Sequence, residues 1–130
     1  MIVLDASALV ELLLGTSQGL RVAGHLDDDS KSVHVPHLAD IEVAQTLRRL
    51  VATKVISAAI AGEAVDELHN LTVVRHGHDL LLDRIWALRR NVTAYDAAYL
   101  ALAEVLGATL VTCDRRLARS SATTARIAVV

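Results

Sequence analysis

Phenylalanine is absent from this chain of 130 residues, and its only aromatic residues besides histidine are Trp86, Tyr95 and Tyr99. The core must therefore be aliphatic. Modules that bind single strands by stacking bases on aromatic platforms are disfavoured. Cys113 is the single cysteine, so no disulfide can close within the chain, which suits a reducing cytoplasm. Asp5 interrupts the opening apolar run, so the basic and apolar regions of a signal peptide are missing. No stretch of about 20 uncharged apolar residues is available to span a bilayer. Lysine is scarce as well: Lys31 and Lys54 are the only two among thirteen cations. The remaining cations are arginines, whose forks suit phosphate and protein interfaces alike. The formal net charge of −2 does not by itself point to nucleic acid. No phosphate-binding G-x-x-x-x-G-K-[ST] loop is present.

What is there is strongly apolar, with 53% hydrophobic residues and a mean hydropathy of +0.41. A chain of this size buries roughly two-thirds of its unfolded surface, and residues 1–130 read as one domain without repeats or linkers. Short apolar runs at Met1–Leu4, Ser32–Val35, Thr72–Arg75, Ala108–Thr112 and Arg126–Val130 read as strands, the second closed by Pro36. Between them, Ala8–Leu14, Gln18–Leu26, Leu38–Ala52, Ser57–Leu68, Asp79–Arg90, Thr93–Leu106 and Arg115–Ser120 read as helices. Asp27–Ser30 reads as an acidic turn, Ser57 as a cap, and Gly15 and Gly107 as helix ends. In Leu38–Ala52 the periodicity places Ile41, Ala44, Leu47 and Val51 on one face. Strands alternating with helices indicate an α/β domain with a mostly parallel sheet. In such sheets the chemistry gathers beyond the carboxyl ends of the strands.

Four acids stand out by position. Asp5 ends the first strand, and Asp114 ends the strand in ATLVTCD. Asp96 sits in the first turn of the apolar helix NVTAYDAAYLALAE, which has no other charge until Glu104. Glu42 lies near the start of the helix that follows the second strand. Each has an ordinary role open to it. Asp5, Ser7 and Asp114 are helix-cap candidates, Thr93 and Asp96 have capping-box spacing, and Glu42 can pair with Arg49 on a solvated face. Together they suggest more. In a parallel sheet the ends carrying Asp5 and Asp114 share one edge. Four carboxylates in one cleft repel each other unless a cation neutralises them. All-oxygen ligands select Mg²⁺ or Mn²⁺, and that chemistry suits phosphodiester hydrolysis.

The stretches MIVLDASALVELL, PHLADIEVAQTLRR, TAYDAAYLALAE and LVTCDRRLA closely resemble the PIN-domain ribonucleases. Within these the chain is most similar to the VapC toxins of toxin–antitoxin pairs. The likeness covers essentially the whole chain. It implies a three-layer α/β/α sandwich around a mostly parallel sheet of about four or five strands. It also implies an Mg²⁺- or Mn²⁺-dependent endoribonuclease that arrests translation, with Asp5, Glu42, Asp96 and Asp114 as the metal-holding catalytic acids. Ser7 and Thr112 match the hydroxyl positions that orient carboxylates or waters beside them. A VapB-like antitoxin that blocks the site, a toxin homodimer and a larger toxin–antitoxin complex are implied as partners, with no membrane.

Other features carry weaker signals. Arg115 and Arg116 follow Asp114 and are candidates for RNA phosphate contact, or else for solvating a short helix. The pairs Arg48–Arg49 and Arg89–Arg90 read first as complements to helix dipoles, with the lining of an RNA groove as the alternative. His76, His78 and Asp79 have no third ligand nearby in sequence, which disfavours a zinc site. Asp40 and Glu42 point about 200° apart on a helix and do not share a metal. Cys113 reads as a small strand-end residue, not a nucleophile. The surplus of leucine in Ala8–Leu14 suits either core or a partner groove. The rival class is a non-catalytic α/β binding or signalling module with an acidic pocket at the strand ends. A receiver-like domain of that class needs a late lysine, and none follows Lys54. A DNA nuclease of related fold needs helical insertions for which the chain has little room.

Overall fold

The computed structural model describes residues 1–27, 31–119 and 123–130. Most of the expected acidic turn, together with Ser120, lies outside them. The chain runs β1 (Ile2–Leu4), α1 (Ala6–Leu13), α2 (Ser17–Leu26), β2 (Val33–Pro36), α3 (Leu38–Ala52), α4 (Ala58–Asn70) and β3 (Val74–His76). It continues through a 3₁₀ turn at Asp79–Leu81 to α5 (Leu82–Ala87), α6 (Ala94–Leu106) and β4 (Thr109–Thr112), then a second 3₁₀ turn at Leu117–Arg119 and β5 (Arg126–Val129).

The strands form one sheet in the order β3-β2-β1-β4-β5, and every neighbouring pair is parallel. Helices flank it in a three-layer α/β/α sandwich. The chain winds outward from β1 through β2 to β3, then crosses over to build β4 and β5 on the other side. The switch point therefore lies between the carboxyl ends of β1 and β4, where Asp5 and Asp114 emerge. The core is aliphatic, as the missing phenylalanine requires: Val3, Leu4, Leu9, Val35, Leu100 and Leu110 are fully buried. Helix α6 lies across β1, β2 and β4, and every residue from Ala97 to Ala103 is buried. Thr93 caps its start by accepting the Asp96 N–H, and Gly107 ends it at φ 58°, where a side chain would be strained.

Three expectations need correcting. The buried face of α3 is Ala39, Val43 and Leu47. Ile41 is 72% exposed, because burial follows the four-residue steps from Ala39 and Ile41 stands two positions off them. The helix expected to run from Asp79 to Arg90 is α-helical only at Leu82–Ala87. Beyond Ala87 it tightens into three-residue turns, Arg89 N–H to Trp86 O and Asn91 N–H to Leu88 O, anchored by buried Leu88. The third strand is shifted toward its C-terminus, because its pairing with β2 runs from His34–Val74 to Pro36–His76. His76 is consequently a strand residue.

Helix α1 is covered on several sides by α2, α3 and β4. It buries Ala8, Leu9, Val10 and Leu13, and the half-buried Leu12 and Leu14 pack against the core. Its surplus leucines thus pack against the core.

Candidate active site

Asp5 leaves β1 in an extended conformation and caps α1. Its Oδ1 accepts the Ala8 N–H at 2.8 Å and the Ser7 hydroxyl at 2.7 Å, and its Oδ2 accepts the Thr112 hydroxyl at 2.5 Å. Ser7 Oγ in turn accepts the Cys113 N–H at 3.0 Å, and Thr112 Oγ1 accepts the Asp114 N–H at 2.9 Å. Each hydroxyl has one proton, and both protons go to Asp5. The 3.4 Å approach of Ser7 Oγ to Thr112 Oγ1 is therefore a contact between two acceptors. The carboxylate of Asp5, only 5% exposed, is locked by the ends of two adjacent strands. Cap and site residue are one and the same.

The other acids surround it. Glu42 is half-buried on α3, and its Oε2 accepts the Tyr99 hydroxyl from α6. Asp96 is half-buried in the first turn of α6. Asp114 follows β4, and Arg116 closes a fork on it: the Arg116 backbone N–H reaches Oδ1 at 2.8 Å and Nη2 reaches Oδ2 at 3.1 Å.

Electrostatics ties the four together. Burial pushes the Asp5 carboxyl above the usual carboxylate range, and the Asp114 charge adds to that against the three hydrogen bonds. Burial raises Glu42 too, with the charges of Asp96 and Asp5 adding and the Tyr99 bond opposing. Burial likewise raises Asp96; Asp114 adds, while Thr93 and Arg116 oppose. Asp114 alone is lowered, chiefly by its Arg116 fork. The acids thus face one another closely enough for their charges to interact. Among the described residues, however, no three His, Cys, Asp or Glu side chains stand together as a ready metal-binding group. The donors are nonetheless all hard oxygens, and three of the four are raised by burial and like charge, a condition that a divalent cation relieves. The chemistry of the set fits Mg²⁺ or Mn²⁺.

Arg116 borders a cleft of about 530 Å³ together with Arg89, Arg90, Thr93 and Asp96, whereas Arg115 is exposed and does not line it. Asp40 is committed to Arg75 at 2.8 Å, apart from Glu42. Of the histidines, His34 and His76 pair with each other, while His78 serves the backbone. His34 Nδ1 lies 2.9 Å from His76 Nε2, and His78 Nε2 accepts the Leu38 N–H at 3.1 Å. Burial pushes the Cys113 thiol up to about 11, so it is no thiolate nucleophile at neutral pH. Sequence reasoning gave Tyr99 no role. The available signal was its position three residues after Asp96, on one face of an otherwise apolar helix.

A PIN domain family model matches residues 2–122. Ribonuclease VapC9 of Mycobacterium tuberculosis is 41% identical over 130 residues, spanning 100% of this chain and 98% of that protein. Ribonuclease VapC12 of the same organism is 42% identical over 130 residues, spanning 100% and 99%. Among solved structures, the crystal structure of PAE2754 from Pyrobaculum aerophilum superposes with a TM-score of 0.68 at 26% identity, covering 97% of this chain and 81% of that one.

Proposed function

The chain belongs to the PIN-domain family, among its VapC members, and from that premise we propose that it is an endoribonuclease toxin that hydrolyses RNA phosphodiesters and so inhibits translation. The observation that supports this reading is the cluster of interacting carboxylates at the sheet's switch point, with buried Asp5 fixed by Ser7 and Thr112. Asp5, Glu42, Asp96 and Asp114 are the residues that would hold Mg²⁺ or Mn²⁺. When bound, such an ion supplies an acidified water and neutralises charge on the phosphate.

The chain's own residues do the positioning. Ser7 and Thr112 fix the orientation of the Asp5 carboxylate, and Tyr99 holds Glu42 against α6. Asp96 is held at the start of a helix whose body is buried, so it cannot drift from the cleft. The family also supports a VapB-like antitoxin and a toxin homodimer as partners, one PIN domain over residues 1–130, and a cytoplasmic setting. No helix among the described residues is long and apolar enough to cross a membrane.

The test is thermal unfolding of the wild type and of Asp96→Asn, in EDTA and then with Mn²⁺ or Mg²⁺. It is paired with an RNA cleavage assay. A metal at 100 times its dissociation constant adds about 2.7 kcal/mol to the folded state. A rise in the wild-type midpoint that Asp96→Asn lacks, with cleavage lost in the variant, supports the reading. Full cleavage by Asp96→Asn sinks it.

A further inference from the structure

The shortened α5 has a chemical result. Had the helix run on to Arg90, Arg89 and Arg90 would follow a helical spiral. Instead the chain turns at Leu88–Asn91, and both arginines line the cleft that Arg116, Asn91, Thr93 and Asp96 also border. Three guanidinium groups line it with the Asp96 carboxylate, and although Arg116 is paired with Asp114, Arg89 and Arg90 leave this wall electropositive. Its volume of about 530 Å³ falls within the roughly 300–1,000 Å³ range of small-ligand sites.

The three arginines are committed to different degrees. Arg89 is fixed, its Nη1 donating to Trp86 O at 2.9 Å and its Cζ lying 4.8 Å from the centre of the Trp86 ring. Arg116 is held by Asp114. Arg90 is exposed and has no hydrogen-bond or ion-pair partner among the described residues. An arginine with all five donors unspent, beside two that already have partners, suits an incoming anion of several oxygens.

We propose that this cleft is a subsite for the RNA backbone, in which Arg90, supported by Arg89 and Arg116, binds a phosphate next to the one that is cut. The inference rests on the ribonuclease reading, because Asp96 belongs both to the cleft and to the carboxylate set. A phosphate seated on the arginine wall thereby places its neighbouring phosphodiester toward the acids. Asn91 and Thr93 add neutral hydrogen-bonding groups at the same rim.

The experiment measures binding of a short, fluorescein-labelled single-stranded RNA of mixed sequence to the full chain in EDTA, by anisotropy, across a range of salt. Cleavage is followed separately with Mn²⁺. Arg90→Ala weakens binding and flattens the log–log salt dependence by about 0.7, the slope of one single-strand phosphate contact. Arg90→Lys restores most of the slope, since a point charge still meets a phosphate. Arg48→Ala, which removes a cation outside this cleft, leaves the slope unchanged. Asp96→Asn still binds RNA in EDTA while losing cleavage, which separates the subsite from the chemistry. Arg90 variants that bind and salt-titrate like the wild type overturn the subsite and leave the ribonuclease reading standing. So does an Arg48→Ala loss as large as that of Arg90→Ala. Arg90-dependent binding without any metal-dependent cleavage keeps the phosphate site but overturns its place beside a cut phosphodiester.

Discussion

Arg116 and Asp114, two positions apart, form a closed pair in which one arginine satisfies both carboxylate oxygens, Oδ1 through its backbone N–H and Oδ2 through Nη2. The guanidinium is also drawn by the charge of Asp96. A cation is therefore already paired with one of the acids that would hold a metal.

That pairing sets a competition. Replacing Arg116 by alanine removes the resident positive charge and lets the Asp114 carboxyl rise toward the ordinary range. The expected outcome is tighter Mn²⁺ binding by Arg116→Ala than by the wild type, read by calorimetric titration without RNA. Equal or weaker binding would show that Arg116 does not oppose the ion.

Thr112 is fully buried and serves two partners, as donor to Asp5 and acceptor for the Asp114 N–H. Thr112→Val keeps the shape but leaves both groups short of a bond. A loss of about 1–3 kcal/mol is expected for stranding such buried polar groups, measured by urea unfolding. Thr112→Ser recovers most of it.

Tyr99→Phe removes the hydroxyl that holds Glu42 and that lowers its pKa against burial. The Glu42 carboxyl then moves further up. The acid limb of the cleavage–pH profile should shift to higher pH, with a stability loss of about 1–3 kcal/mol. An unmoved acid limb would reduce Tyr99 to a packing role.

Asp96 has a folded pKa raised by burial. The folded state holds this proton more tightly than the unfolded chain does. Ionisation of Asp96 therefore destabilises the metal-free protein once pH rises through the raised value. Asp96→Asn should accordingly unfold at a higher temperature than the wild type in EDTA at neutral pH. The advantage should fade as pH falls into the carboxylate range, and Mn²⁺ should reverse it.

Glu104 has the opposite sign. Arg84, with Thr123 and Thr124, holds its carboxyl at about 2 against an ordinary 4.5. Its stabilisation is complete above 4.5 and disappears as pH falls toward 2. Glu104→Gln should lower the midpoint at neutral pH and show a shallower loss in acid than the wild type. Parallel acid curves would argue against this pair as the source of acid lability.

The legible parts of the molecule were those written locally. An apolar run halted by an acid is visible in IVLD and again in LVTCD, and a parallel sheet then brings the two ends together. Thr93 and Gly107 bracket α6 by capping chemistry that spans only a few positions. What stayed hidden depends on distant partners. The bond from Tyr99 to Glu42 joins residues 57 positions apart, and the place of Tyr99 three residues after Asp96 points to the site without naming Glu42 as its partner. The buried face of α3 was misread because Ile41 has the right chemistry at the wrong angle. The break in α5 is set by the burial of Leu88, which only packing decides. For the same reason sequence left Arg89 and Arg90 between dipole complements and a groove lining, whereas the fold puts both in a cleft wall.

The hydrogen bond from Thr112 to Asp5 spans 107 positions. During synthesis Asp5 is therefore made long before Thr112. A partly made chain thus has a buried-type carboxylate with none of its strand-end partners. Whatever Asp5 does, it does only once β4 has been translated and docked beside β1, so the order of synthesis itself delays the site until that strand is made.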